Sequence, residues 1–339
     1  MKRILLLTHN DMDGSGPVII AKTAFGKENV EVVHCTNANM DEEIRSRCTV
    51  ENDYDYIFIT DISCSVETAT MIDDGPCASK VFLLDHHRTA LELNKFPWCH
   101  VEIKALVDSV LYTYGYTPEK ASRMASGTSN FLDFLRRNKN TFKGDGLYNP
   151  SLGIVVNAIS AYDTWDWVHV FDKDETYMNL NRVFYLDGAE KFEDLMLSKI
   201  DKGSIKNNAS LLNKAEETAL VKEMKNIKEY CDKKVEKVLH FNALLGDREY
   251  SISYTTAEKY TPDVIEAIAK AKPADIYILQ EGNKLSLRTR SDDIDVSALA
   301  ASIGGGGHKQ AAGCYVTENA ISLMLSALFE TVAYENRIA

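Results

Sequence analysis

Val81-Phe82-Leu83-Leu84-Asp85-His86-His87-Arg88 is the stretch that decides the fold. Its apolar residues run without a break, so neither side of the segment is left for water. A strand of this kind is buried on both faces, as in a parallel sheet covered by helices. It stops at an acid, two adjacent histidines and an arginine, a group that packing explains poorly. Residues 4–7, 30–34 and 56–60 have the same short apolar character, and polar stretches of helical length lie between them. Residues 16–25 read as a helix ending near Gly26. This rhythm predicts βαβ units: an α/β domain with a mostly parallel sheet and helices on both faces. Asp11, Asp61 and Asp85 then fall at or just past the C-terminal ends of strands. Ligands bind open α/β sheets at that edge.

Further along, residues 124–137, 152–161 and 192–197 read as helices. A lysine-rich stretch over 204–240 places Leu220, Met224, Ile227, Cys231, Val235 and Val238 at spacings of three and four. That marks one apolar helical face, a solvated helix packed on a core. A smaller α/β domain is expected beyond it. Residues 243–245, 250–254, 276–279 and 285–289 look like strands. Thr261-Pro262-Asp263 opens a helix with Thr261 as cap and proline at the first position. A helix over 296–303 is stopped by Gly304-Gly305-Gly306-Gly307-His308. The expected division is a first domain over 1–190, a helical connector over 191–240 and a second domain over 241–339.

A chain of 339 residues has room for about two domains. Acidic residues outnumber basic ones, 50 against 38, for a net charge of −12. That excludes a broad basic face for long duplex nucleic acid. It leaves room for a small anionic substrate held by metal ions, which bring their own charge. The longest near-apolar run, over 152–162, is far short of the roughly 20 residues that span a bilayer. The apolar run after Met1-Lys2-Arg3 is too short for a signal-peptide core. The 7 cysteines form no Cys-x-x-Cys pair, which argues against a disulfide framework or a thiolate zinc site. A reduced, cytoplasmic protein away from membranes is expected.

Five clusters could carry chemistry. His9-Asn10-Asp11-Met12-Asp13-Gly14 follows the first strand. In extended backbone, residues two apart share a side, so His9, Asp11 and Asp13 could converge on a metal. Gly14 and Gly16 would let the chain turn sharply. The plainer reading is a polar loop with Asp13 as helix cap. Asp61 closes an apolar strand and could equally be a cap. Asp85-His86-His87 is the hardest to dismiss. Asp163, between aromatics in Tyr162-Asp163-Thr164-Trp165-Asp166-Trp167, follows an apolar helix and could be a cap beside a packed tryptophan. The donors are oxygen and nitrogen with no thiolate, which suits Mn²⁺ first, and Mg²⁺, Co²⁺ or Fe²⁺. Two such ions activate water and clamp the attacking and leaving oxygens of phosphoryl transfer. In the second domain, Arg288 and Arg290 fall on one side of a strand. The glycine run with His308 offers backbone N–H groups to phosphate. His34, His100, His169 and His240 match no pattern and read as surface or satisfied structural histidines.

Together these residues resemble the DHH phosphoesterase superfamily, whose signature is Asp85-His86-His87. His9-x-Asp11-x-Asp13-Gly14, Asp61 and Asp163 match the other motifs of its first domain. Gly305-Gly306-Gly307-His308 matches the DHH-associated C-terminal domain. The resemblance implies that His9 and Asp11 hold one metal, that Asp13, His86 and Asp163 hold a second, and that Asp61 bridges them. It implies that His87 contacts the scissile phosphate or the leaving group and that Asp85 orients a histidine. It also implies that a second domain closes over the cleft, with Arg288 or its rival Arg290 and His308 on the substrate's terminal phosphate.

Within the superfamily, the chain is most similar to the nano-RNases, and its Tyr162–Trp167 segment to their oligoribonuclease B branch. The expected activity is Mn²⁺-dependent hydrolysis of short oligonucleotides or linear dinucleotides to 5′-mononucleotides, with two ions per chain. The alternatives are a phosphatase acting on 3′-phosphoadenosine 5′-phosphate, a cyclic-dinucleotide phosphodiesterase, and a nucleotide-binding sensor without catalysis. Oligomeric state stays open, with a homodimer among the options.

Overall fold

The structure, a computed structural model, describes residues 2–49, 52–105, 124–171, 173–245 and 247–316. The chain divides into two compact units, Met1–Leu220 and Val221–Ala339.

In the first unit the order is β1 (Ile4–His9), α1 (Met12–Phe25), β2 (Val30–Cys35), α2 (Met40–Arg47), β3 (Tyr56–Thr60), α3 (Val66–Asp73), β4 (Val81–Asp85) and β5 (Cys99–Val101). The helices α4 (Gly127–Arg137), α5 (Pro150–Asp163), α6 (Asp166–His169), α7 (Glu175–Asp187) and α8 (Ala189–Asp201) follow. The strands pair in the order β2-β1-β3-β4-β5, every pair parallel. Side chains alternate across the sheet as the unbroken apolar runs require. Ile4 and Leu6 enter a core with residues of α1, α4, α5, α7 and α8. Leu5 and Leu7 enter a second core with Met40 and Ile44 of α2 and Ala69 and Ile72 of α3. Truncating Leu6 to alanine would open a cavity costing about 2–5 kcal/mol.

The chain goes from β1 to β2 on one side and then returns to β3 on the other. The C-terminal ends of β1 and β3 therefore flank the point where strand order reverses. That crevice is the natural ligand site of such sheets.

Some elements depart from the sequence reading. Helix α1 begins at Met12, four residues early, because Asp11 caps it. Helix α7 was not anticipated, although Tyr177, Leu180, Val183 and Phe184 give it a buried face. Residues 204–213 hold one 3-10 turn, Asn208–Ser210, and no α-helix, since Asn207 and Asn213 turn the chain through their side chains. Phe192, Met196, Ile200, Ile205 and Leu211 are buried in the first unit's core.

Helix α9 (Lys214–Glu236) spans the division between the units. The second unit continues with β6 (Leu239–Leu245), β7 (Arg248–Thr256), α10 (Thr261–Ala271), β8 (Ile276–Glu281), β9 (Lys284–Arg288), α11 (Val296–Ala301), β10 (Gly306–His308) and β11 (Ala311–Tyr315). Its sheet runs β10-β11-β9-β8-β7-β6, with β7–β8 the parallel pair joined across α10. Val264, Ile265 and Ile268 of α10 pack with Ile227 and Cys231 of α9 on Tyr277 and Leu279. Thr261 is the first residue of α10 rather than its cap; the cap is Tyr260, in left-handed conformation. Residues 317–339 of the expected second domain lie outside the described residues. Among the described residues no helix is long and apolar enough to cross a membrane. The seven cysteines are unbridged.

Candidate active site

His9 ends β1, and the chain turns at once into α1. Asp11 caps that helix: one carboxylate oxygen accepts the Gly14 N–H at 2.9 Å, and the other lies 2.8 Å from His9 Nδ1. Asp13 therefore does not reach the site by strand alternation, and it is not the cap. It sits in the first helical turn, aimed at the N-terminus of α4. Its carboxylate accepts N–H groups from Gly127 at 2.6 Å and Thr128 at 3.1 Å. The positive end of a helix favours a negative charge there.

The glycines act by closeness rather than by turning. A Cβ on Gly14 would lie 2.0 Å from the His9 carbonyl oxygen, and one on Gly16 would lie 1.9 Å from Thr128 Oγ1. Pro17 has no N–H to donate back along α1, so the Asp13 carbonyl loses its helical partner. The Thr128 hydroxyl replaces it at 2.8 Å.

Asp61 follows β3 in left-handed backbone, φ 58°. Aspartate tolerates this conformation better than most residues. The turn buries the carboxylate completely, against Gly127, where a Cβ would lie 2.4 Å from that of Asp61. Asp61 Oδ1 is 3.1 Å from His86 Nε2. Asp61 Oδ2 is buried with no hydrogen-bond partner. An orphan of this kind is costly unless something charged meets it.

Asp85 closes β4. Its Oδ1 accepts N–H groups from His86 at 2.7 Å and His87 at 3.3 Å, and lies 2.7 Å from His87 Nδ1. Ser63 Oγ donates to Oδ2 at 2.5 Å. Asp163, the last residue of α5, comes within 3.8 Å of His86 Nε2, as Asp13 does at 3.7 Å.

Three overlapping groups hold their ligand atoms within 4.8 Å of one another: His9, Asp11 and Asp61; Asp13, His86 and Asp163; and Asp61, Asp85, His86 and His87. The first two groups divide the acids between two adjoining positions, with Asp61 beside both. Each could hold a divalent cation.

The electrostatics point the same way. Burial, and then the carboxylates of Asp13, Asp11, Asp163 and Asp85, push Asp61 well above the usual carboxylate range. Burial and the charges of Asp13 and Asp11 do the same to Asp163. Burial and the neighbouring His87 lower His86, which keeps its ring neutral and able to ligate. Burial opposes charge on His87, but the Asp85 carboxylate outweighs it and lifts the pKa to about 9. Burial likewise works against Asp85, which His87 and Ser63 nevertheless hold below the usual range. So many acids crowded out of water need cationic company. The donor set, the orphaned Asp61 oxygen and the repelled carboxylates all fit divalent ions.

In the second unit, Arg288 ends β9 and Arg290 lies beyond it, so the two do not share a strand. Arg288 Nη1 donates to the carbonyls of Leu287 and Ala312. Arg290 pairs with Glu266 of α10. Gly306 and His308 form β10 against Gly313 and Ala311. A Cβ on Gly305 would lie 2.2 Å from the Gly313 carbonyl oxygen, and Gly307 has φ 137°. These glycines build a tight ribbon.

Sequence reasoning missed the residues that hold the acids. Gly127 and Thr128 seat Asp13, Ser63 seats Asp85, and Asn130 Nδ2 donates to the Asp85 carbonyl at 3.1 Å. The available signal was Ser126-Gly127-Thr128-Ser129, a capping box at the head of an apolar helix. His34 proves to be a satisfied structural histidine. Its Nε2 lies 3.0 Å from the buried Glu193, which Ser15 and Lys22 also contact.

Comparison with known proteins shows the family of the chain. The chain is 30% identical over 333 residues to oligoribonuclease NrnB of Bacillus subtilis, covering 96% of this chain and 75% of that one. The chain belongs to the oligoribonuclease NrnB family of DHH phosphoesterases. Residues 250–333 match the DHHA1 domain. Among solved structures, RecJ with Mn²⁺ from Thermus thermophilus matches with a TM-score of 0.48 at 16% identity, covering 97% of this chain and 52% of RecJ. The pGpG-specific phosphodiesterase PggH of Vibrio cholerae matches with a TM-score of 0.47 at 14% identity, covering 96% of this chain and 97% of PggH. Likeness at that level says nothing of substrate or metal.

Proposed function

We propose that this chain is a divalent-cation-dependent phosphodiesterase that cuts short oligonucleotides or linear dinucleotides to 5′-mononucleotides, in a cytoplasmic setting. The observation that carries the proposal is Asp61: a fully buried carboxylate between two ligand groups, with one oxygen that has no hydrogen-bond partner. His9, Asp11 and Asp61 would hold one ion, and Asp13, His86, Asp163 and Asp61 the other, with Mn²⁺ the best match to mixed oxygen and imidazole donors. Bound divalent ions supply Lewis acidity and a water acidic enough to attack phosphorus.

The remaining steps belong to the chain itself. Asp85 holds His87 by Nδ1 and keeps it protonated at neutral pH. His87 then donates a proton or hydrogen bond to a phosphate oxygen or to the leaving oxygen. Asp13 is anchored by α4, so His86 and Asp163 meet a fixed partner. Arg288 and His308 are proposed as phosphate contacts of the second unit, on the strength of the family motif. The short substrate follows from the net charge of −12, which repels long polyanions outside a neutralised site.

Purified protein with Mn²⁺ and 5′-labelled dinucleotide should release mononucleotide, and Asp61→Asn should not. No product from the wild type, or product from both alike, refutes the proposal. A ladder of 2- to 24-mers in RNA and DNA then fixes length and sugar preference.

A further inference from the structure

Two aromatic side chains near the acidic cluster stand in water, and the chemistry above uses neither. Trp165 follows Asp163 by two residues and is 52% exposed. Its backbone is left-handed, φ 62°, a conformation that bulky residues rarely adopt. Strain of this kind gathers at functional sites. The indole is not loose. It stacks on Trp167 with ring centroids 6.3 Å apart and planes 30° from parallel. The buried Trp167 stacks in turn on Tyr162 at 6.5 Å and 15°. The row runs from the core outward and ends in a ring with an uncovered surface.

Tyr185, on α7, is 67% exposed. Asn181, one helical turn earlier on the same face, donates to Tyr162 Oη at 2.8 Å, next to Asp163.

We propose that Trp165 and Tyr185 are specificity residues that stack the nucleobases on either side of the scissile phosphate. This rests on the phosphodiesterase reading and narrows its substrate. Stacking accepts every base because each has a π-face, so the enzyme discriminates little by sequence. It requires unpaired bases, since a duplex keeps its own covered. It also disfavours phosphoesters that carry no base.

The test compares kcat/KM for 5′-phosphorylated diadenylate with that for the same diester lacking both bases. In Trp165→Ala and in Tyr185→Ala the ratio of the two should fall about 5- to 150-fold, and Trp165→Phe should keep most of it. A ratio that stays at the wild-type value in both alanine variants overturns the proposal, whether both rates fall or neither does. Circular dichroism confirms that the variants fold. Titrating AMP against tryptophan fluorescence gives a second reading: quenching present in the wild type and absent in Trp165→Phe supports stacking, and no quenching in the wild type overturns it. If the wild type cuts neither diester, the phosphodiesterase reading fails alone and the AMP titration still decides the stacking.

Discussion

The two units treat their charged groups in opposite ways. In the first, four of the five acids of the cluster are placed by something rigid: Asp11 by the turn it caps, Asp13 by the head of α4, Asp61 by a left-handed turn wedged on Gly127, Asp85 by two N–H groups and Ser63. In the second, the backbone is the fixed part. Glycines 305 and 307 bind β10 tightly to β11, while Arg288 and Arg290 occupy themselves with carbonyls and Glu266. Preorganisation belongs where charge must not move during a reaction. Under the proposed function Arg288 would exchange its carbonyl partners for a phosphate, which suits a surface that grips and releases, while Arg290 stays with Glu266.

Asp61→Asn should break the contrast most severely, lowering kcat/KM by roughly 10³-fold, since under the proposed function several kcal/mol of barrier lowering would depend on the divalent ions. The same change removes one repelled carboxylate, so without metal the variant should melt higher than wild type. Added Mn²⁺ should raise the wild-type Tm and leave the variant's unmoved. Gly127→Ala comes next. The new Cβ must displace Asp61, at about 1–3 kcal/mol of stability and about 10²-fold in rate.

Arg288→Ala should cost about 10-fold in kcat/KM through a charge-assisted contact. A loss as large as that of Asp61→Asn would refute the division between chemistry and grip. His34→Gln should cost about 1 kcal/mol, discounted for partial exposure. Burial opposes charge on His34, but Glu193 raises its pKa above the unfolded value. The stabilisation is therefore whole below about pH 6.5 and fades as pH rises through the folded pKa, so melts at pH 6 and pH 9 should differ in this cost. Arg290→Ala should change kcat/KM by less than about twofold, because Glu266 already engages it in solvent.

The sheet was legible in the sequence because strands buried on both faces have no alternative to continuous apolar runs. Residues 4–7 and 81–84 could hardly be anything else. The candidate ligands were legible because acids and adjacent histidines at strand ends are poorly explained by packing. What holds the ligands was not. Thr128 and Gly127 are small, common residues, and their importance lies in a separation of more than a hundred positions from Asp13. Helix α7 was overlooked because polar residues interleave its apolar spacing. The expected long helix over 204–240 failed at asparagines, whose side chains compete for the backbone. Tyr185 and Trp165 give no local sign of exposure, because aromatic residues at helical spacing normally mean core.

The fit between Gly16, Pro17 and Thr128 has a consequence for how related chains can diverge. A methyl group at position 16 has no room while threonine occupies 128, and 128 cannot shrink while proline at 17 leaves the Asp13 carbonyl dependent on that hydroxyl. The order of change is thus dictated. A residue with an N–H must first appear at 17, then glycine at 128, since even an alanine Cβ there would lie 2.7 Å away, and alanine at 16 last. Homologues should carry these three positions as linked states, and intermediates out of sequence should be missing.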